Sequence, residues 1–223
     1  MRKIILGDCL KVMKKIPDKS IDMVLCDLPY GTTKCKWDVV LPFDELWDAY
    51  RRICKLNTAI VLFGTEPFSS YLRLSNIKHY KYDWIWDKIT ARGHLVAKKR
   101  PMQQSENISV FCFKTHKYFP QMVLMDKPKA GASVESSRTV ICGGKTTKER
   151  SIIIRTHRYP KTIITNGIKI DRKYHHPTQK PVALLEYLIK TYTNERDVVL
   201  DNCCGSGSTL VAARNLNRKF IGI

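Results

Sequence analysis

DVVLDNCCGSGSTLVAARNLNRKFIGI, residues 197–223, is the stretch on which the fold turns. DVVLD (197–201) is an apolar run of strand length, STLVAARNLN (208–217) spaces its apolar residues as a helix does, and KFIGI (219–223) reads as a strand again. In the turn between, Gly205 and Gly207 let the backbone bend tightly and come close to a ligand without a Cβ in the way. The N–H groups that open the helix at Ser208 and Thr209 can face polar or anionic groups. No Gly-Lys-Ser/Thr follows, so this is not a phosphate P-loop, and the full GxGxxG spacing of a dinucleotide site is missing. Two permissive glycines also suit a turn with no ligand at all. The ligand that the turn would suit is a nucleoside carrying a small zwitterion in place of a pyrophosphate.

Working outward, strands alternate with helices. KIIL (3–6) reads as a short strand, 9–16 as a helix ended by Pro17, and SIDMVLCD (20–27) as a strand buried on both faces. FDELWDAYRRICKL (43–56) has helical spacing, TAIVLFG (58–64) is another buried strand, and EPFSSYLRL (66–74) opens with proline near a helix start. YKYDWIWDK (80–88) and NISVFCFK (107–114) alternate as strands, and PVALLEYLIKTYT (181–193) is a helix. The pattern predicts an α/β fold with a parallel, doubly wound sheet, whose ligands bind beyond the carboxyl ends of the strands. Two strand ends stand out, Asp27 onward and Asp201 onward. From about 115 to 175 periodicity decays into glycines, serines, basic residues and isolated β-prone pieces, which marks a functional insertion.

The formal charge is +19, and it is uneven. Between residues 88 and 180, 20 Lys and Arg face 5 Asp and Glu, a net +15. A basic half beside a near-neutral half predicts a polyanionic partner. Eight cysteines without a CxxC pair argue for free thiols in a reducing compartment and against a zinc site, so no metal is expected. The longest apolar runs are too short to span a membrane, and the N-terminus carries no secretory signal.

HPTQKP (176–181), the helix after it, DVVLDNCCGSGST and KFIGI together resemble the cofactor half of S-adenosylmethionine-dependent DNA amino-methyltransferases. DLPYG (27–31) is similar to that family's DPPY motif, and GDCL near residue 7 and WDK…SENISVFCF (86–113) to its other segments. Catalytic motif first, cofactor motifs last and a basic insert between resemble the circularly permuted beta class. The resemblance implies a Rossmann-like domain split into a catalytic half (1–114), a target-recognition insertion (115–175) and a cofactor half (176–223). It places Gly205, Gly207, Cys203 and Ser208 in the loop beside the methionine end of the cofactor. Asp201 would lie near the methionine amino group, Thr178 and Lys180 near its carboxylate, and Asp8 and Cys9 at the adenine amine. Lys180 read alone is a solvated helix-start lysine, and Asp8 a helix N-cap. The family has a second proline where Leu28 stands, and its last strand continues into an acid for the ribose hydroxyls. The sequence here stops at Ile223, so either it is trimmed there, or the terminal carboxylate or another group makes the ribose contact.

Transfer from a sulfonium neutralises its charge, and the leaving group needs no acid. The difficulty is the nucleophile, an exocyclic amine whose lone pair is delocalised into the ring. Two fixed acceptors for its N–H groups favour the form whose lone pair points at the methyl group. Asp27 and the Leu28 carbonyl supply them, Pro29 turns that carbonyl outward, and Tyr30 offers an aromatic face to a base drawn out of its duplex. Gly31-Thr-Thr reads as a mobile closing loop. Methylation at a ring carbon is excluded, because none of the ten prolines precedes a cysteine and that chemistry uses a Pro-Cys nucleophile. Cys26 is expected to face into the sheet.

Asp at position 27 favours adenine-N6 over cytosine-N4 within the family. Trp37 and Trp86 are candidates for the base pocket, against a plain core role. Lys98, Lys99, Arg100, Arg155, Arg158 and Lys161 are expected to track phosphates of double-stranded DNA. The small insert implies either a short recognition site or help from a second subunit, the latter as a homodimer. The compartment and family imply a cytoplasmic protein of prokaryotic or phage origin, of the restriction-modification kind. A cytosine-N4 enzyme and a non-catalytic DNA-binding relic of the fold are the alternatives, with an RNA or protein methylase third.

Overall fold

In the computed structural model, which describes residues 2–33, 35, 37–132, 152–165 and 179–223, the run after Ser20 is a strand with every residue buried. The strands are β1 (Arg2–Ile4), β2 (Ile21–Cys26), β3 (Cys54–Gly64), β4 (Tyr80–Arg92), β5 (Gln103–Phe111), β6 (Val123–Ala132), β7 (Ile152–Arg158), β8 (Ile163–Ile164), β9 (Val198–Asp201) and β10 (Lys219–Gly222). The helices are α1 (Cys9–Met13), α2 (Phe43–Ile53), α3 (Phe68–Ser75), α4 (Val182–Tyr192) and α5 (Ser208–Asn215). The chain divides into two compact units, Met1–Phe119 with Lys161–Ile223, and Pro120–Pro160. In the second, β6 and β7 form an antiparallel ribbon, which lies within the 115–175 stretch.

The first unit holds an eight-stranded sheet in the order β1-β10-β9-β2-β3-β5-β4-β8. From β1 to β3 all neighbours run parallel, and β8 runs parallel to β4. The expected parallel sheet breaks at β5, which is antiparallel to both β3 and β4. The reason lies in the connection. Between β4 and β5 there is only a one-turn 3-10 helix, His94–Val96, and a parallel return needs a crossover of a dozen or more residues.

From Met23 to Cys26, successive residues of β2 alternate between two cores, as a strand buried on both faces requires. Val24 and Cys26 pack with Met13, Leu46, Tyr50 and Phe68 of the first three helices. Met23 and Leu25 pack with Leu184, Leu188, Leu210 and Ala213 of α4 and α5. A charged residue also sits in this strand. Asp22 is buried, bonded by Lys55 Nζ at 2.6 Å and by the Val198 N–H at 2.9 Å, which ties β2 to the start of β9. Close packing requires glycine near the end of β10. A Cβ on Gly222 would lie 2.5 Å from Leu210 Cδ1 and 3.2 Å from Cys204 Sγ.

From β2 the chain steps to β3 on one side, while from β9 it steps to β10 on the other. The winding direction therefore reverses between β2 and β9, the place where open α/β sheets hold ligands. Val24 pairs with Leu200, so Asp27 and Cys203 leave the two strands at the same level.

Candidate active site

Asp27 leaves β2 with a carboxylate only partly exposed, and both of its oxygens are taken. The Tyr30 hydroxyl donates to Oδ1 at 2.5 Å, and Lys180 Nζ donates to Oδ2 at 2.7 Å. Both donors also reach Glu106, Tyr30 at 3.1 Å and Lys180 at 2.9 Å. Lys88 Nζ holds the other Glu106 oxygen at 2.5 Å. Burial alone would push the Lys180 ammonium down, but Asp27 and Glu106 outweigh it and hold it above its ordinary value. Burial would likewise raise Glu106, yet Lys180 and Lys88 keep it below the usual carboxylate range. The Tyr30 phenol is pushed up by burial and by the two carboxylates beside it, so it is a donor at neutral pH. Leu28 is buried, and the Tyr30 ring stacks on Phe68 with centroids 4.8 Å apart.

The loop after Tyr30 has a built shape. One carboxylate, Asp38, accepts from four successive backbone N–H groups: Tyr30 at 2.8 Å, Gly31 at 2.9 Å, Thr32 at 3.0 Å and Thr33 at 2.7 Å. Burial opposes the charge, but the bonds from Thr33, Gly31 and Tyr30 outweigh it and lower the Asp38 pKa. Gly31 sits at φ +68°, where a side chain would be strained. These bonds hold residues 30–33 to Asp38, within the loop expected to close over the site.

On the neighbouring strand, Asp201 is buried, and its carboxyl is pushed up to about 6 by that burial, against bonds from Thr209, Cys26 and the Cys203 N–H that lower it. The Cys203 N–H donates to Asp201 Oδ1 at 3.2 Å. Asn202 is fixed from the core by the Tyr50 hydroxyl at 2.6 Å. Gly205 and Gly207 take φ +46° and +79°, and a Cβ on Gly205 would meet nothing within 4 Å. Open space beside a glycine turn, next to a buried acid, is what a ligand bearing an ammonium group requires. Asp8 caps α1 through the Lys11 N–H at 2.9 Å. The backbone of Ile223 is stitched between Asp201 and Cys204, at 3.0 and 2.9 Å. Cys9 and Cys26 are buried in the core cluster against which Cys203 packs, and burial pushes the Cys26 thiol up to about 12. Cys26 thus points toward the Cys203 side, inside the sheet.

The structure therefore gathers Asp8, Cys9, Asp27, Lys180 and 201–208 along one edge of the sheet. Lys180, expected beside the methionine carboxylate, is bonded to Asp27 and Glu106. Thr178 lies outside the described residues. Lys98, Lys99, Arg100 and Lys161 are exposed on the first unit, and Arg155 and Arg158 are exposed on the second. Arg92 and Arg100 line a solvent-open cavity of about 480 Å³ together with Lys88 and Glu66, a size that suits a nucleotide-scale ligand. Trp37 is exposed, and Trp86 packs on the core with the Lys88 ammonium 5.4 Å from its ring, so neither tryptophan lines that cavity. Among the described residues no cluster of His, Cys, Asp and Glu could hold a metal ion. No described helix is long and apolar enough to cross a membrane.

Sequence reasoning missed Glu106, Lys88, Asp38 and Phe68. Glu106 precedes the run NISVFCFK, and a strand read from periodicity alone starts just after it. Its one visible signal is an acid abutting an otherwise apolar strand.

Comparison with known proteins bears on all of this. A family model described as DNA methylase matches residues 21–223. The DNA adenine methyltransferase YhdJ of Escherichia coli (strain K12) is 26% identical over 246 residues, covering 100% of this chain and 78% of the relative. Among solved structures, the M1.HpyAVI–SAM complex superposes with a TM-score of 0.64 at 23% identity, covering 100% of this chain and 93% of that one. The cytosine-N4-specific PvuII DNA methyltransferase gives 0.62 at 16% identity, covering 98% and 80%. At these identities the structural likenesses establish the fold alone.

Proposed function

The chain belongs to the N6/N4 DNA methylase family, and from that premise we propose that it transfers a methyl group from S-adenosylmethionine to the N6 amine of an adenine flipped out of double-stranded DNA. One observation carries the reading. Asp27 and the Asp201–Gly205 turn leave neighbouring parallel strands at the same level, on the edge where the sheet reverses direction. An acceptor for an amine and an acid for an ammonium group are thus set side by side.

The bound cofactor supplies an electrophilic methyl group on a sulfonium. Asp201, the backbone of Cys203 to Ser208, and Asp8 with Cys9 are the residues that would hold it. Asp27 accepts one amine N–H and the Leu28 carbonyl the other, directing the nitrogen lone pair outward. Tyr30, backed by Phe68, stacks on the base. As the nitrogen loses a proton on methylation, the Asp27 carboxylate is the nearest acceptor. Arg92, Lys98, Lys99, Arg100 and Lys161, with Arg155 and Arg158 on the second unit, contact phosphates. The reading includes a homodimer, which sedimentation with and without duplex DNA tests.

Adenine is preferred because Asp stands first in the motif and because of the likeness to YhdJ; the family match and the PvuII likeness keep cytosine-N4 as the second reading. The test is to incubate the protein with labelled S-adenosylmethionine and unmethylated duplex DNA, digest the product and identify the nucleoside. N6-methyladenine, abolished by Asp27→Ala, is the expected result. N4-methylcytosine would replace the adenine reading, and DNA binding without cofactor uptake would replace catalysis by a binding role.

A further inference from the structure

Tyr30, Lys180, Asp27 and Glu106 form a closed ring of two donors and two acceptors, each donor bridging both carboxylates. A phenol has one proton, so only one carboxylate receives the Tyr30 hydrogen bond at a time. The distances, 2.5 Å to Asp27 and 3.1 Å to Glu106, put that proton on the Asp27 side. In this state each Asp27 oxygen already carries one buried donor, Tyr30 on Oδ1 and Lys180 on Oδ2. An arriving amine competes with these donors for the same two oxygens, and a buried donor displaced without a new partner carries a desolvation penalty.

Glu106 is placed to prevent that penalty. Its side chain is 3% exposed, so water does not compete for it. Lys88 and Lys180 keep it ionised and fix both of its oxygens. Oε1 already lies within hydrogen-bonding reach of the Tyr30 hydroxyl. Turning that hydrogen from Asp27 to Glu106 needs a hydroxyl rotation and a shift of a few tenths of an ångström, with the ring still against Phe68. We propose that Glu106 is a positioning residue that takes over the Tyr30 hydroxyl when the substrate amine binds Asp27. The exchange keeps every buried donor satisfied in both states and frees Asp27 Oδ1 for the reaction. It rests on the reading of Asp27 as the amine acceptor.

The experiment is a double-mutant cycle between Glu106→Gln and Tyr30→Phe. It is read as kcat/KM for transfer of tritiated methyl groups from S-adenosylmethionine to amplified, unmethylated genomic DNA. A neutral amide is the weaker acceptor, so Tyr30 stays on Asp27 and Glu106→Gln should lower kcat/KM by tenfold or more. In the Tyr30→Phe background there is no hydroxyl to move, and the same substitution should lower it at least fivefold less. Equal losses in the two backgrounds would mean that Glu106 only neutralises lysines, and would overturn the exchange. Glu106→Asp keeps the charge and draws the acceptor back by one methylene, and it carries the same expectation should the Gln variant prove unstable on thermal melting. If the unsubstituted protein methylates no DNA, the functional reading fails and this inference falls with it. Methylation with equal losses removes the exchange alone.

Discussion

Asp201, proposed to hold the cofactor's amino group, would set that binding against stability, and Asp201→Asn separates the two. Burial holds this carboxyl at about 6 in the folded chain, against 3.8 for a free side chain. A folded value above the unfolded one means that ionising Asp201 opposes folding. The penalty is absent below about pH 3.8, grows as the pH rises toward 6 and is constant above that. At pH 8 the gap corresponds to about 3 kcal/mol, and at pH 4.5 to about 1 kcal/mol. Asparagine cannot ionise, and its carbonyl can still accept from the Cys203 N–H. The variant should therefore be more stable than its parent by up to about 3 kcal/mol at pH 8, roughly 6–12 °C in Tm for a chain of this size, with the advantage shrinking to about 1 kcal/mol at pH 4.5. Urea denaturation at the two pH values measures it. Calorimetric titration with S-adenosylmethionine should show affinity falling about tenfold or more, since the proposed partner of the amino group is lost. An equal stability change at both pH values, or a less stable variant at pH 8, would show that the hydrogen bonds of Asp201 outweigh its charge and would refute the reasoning.

Asp38→Ala leaves four loop N–H groups without their acceptor and should lower kcat by about tenfold to a hundredfold in the methyl-transfer assay. Cofactor affinity, measured by calorimetry, should hold, because the 201–208 turn is untouched. Because the Asp38 pKa is lowered, its contribution to stability is present at neutral pH and should fade only under acid titration through that lowered value. Gly222→Ala forces a Cβ against Leu210 and Cys204 and should destabilise the fold by about 1–3 kcal/mol in chemical denaturation. DNA binding, followed by fluorescence anisotropy, should weaken steeply with salt. If the six predicted basic residues each contact a phosphate, the slope of log affinity against log salt is about −5, and a flat response would dismiss the basic surface as a binding face.

The elements that the sequence made legible are those whose partners are local or periodic. The βαβ arrangement at 197–223 follows from two apolar runs flanking a helical pattern, and its glycines take the positive φ angles that the turn requires. DLPY stood out because a proline and an aromatic directly behind an apolar run are an unusual way to leave a strand, and the strand does end at Cys26. Periodicity failed where the chain returned without a crossover helix, so the antiparallel β5 did not announce itself. The Asp38 carboxylate is eight residues from Tyr30 and Glu106 seventy-six, and neither spacing follows a structural period. The bonds of Lys180 to Asp27 and Glu106 were not legible for a similar reason. Only the tertiary fold brings it 2.7 Å from Asp27, across 153 residues of sequence.

The parallel register of β2 and β9 has a consequence for how this chain can change. Neighbouring strands stand about 4.8 Å apart, and one residue advances a strand by about 3.3 Å while reversing its side chains. The gap between the proposed amine acceptor and the proposed ammonium acceptor is thus a backbone dimension, outside the reach of any side-chain substitution. Inserting or deleting a single residue within Ile21–Asp27 or within Val198–Cys203 would dislocate the two half-sites from one another and turn Asp27 or Asp201 into the wrong core. Length changes that spare activity are confined to the connections between strands, and a deletion scan through the chain would trace those two short segments as its silent gaps.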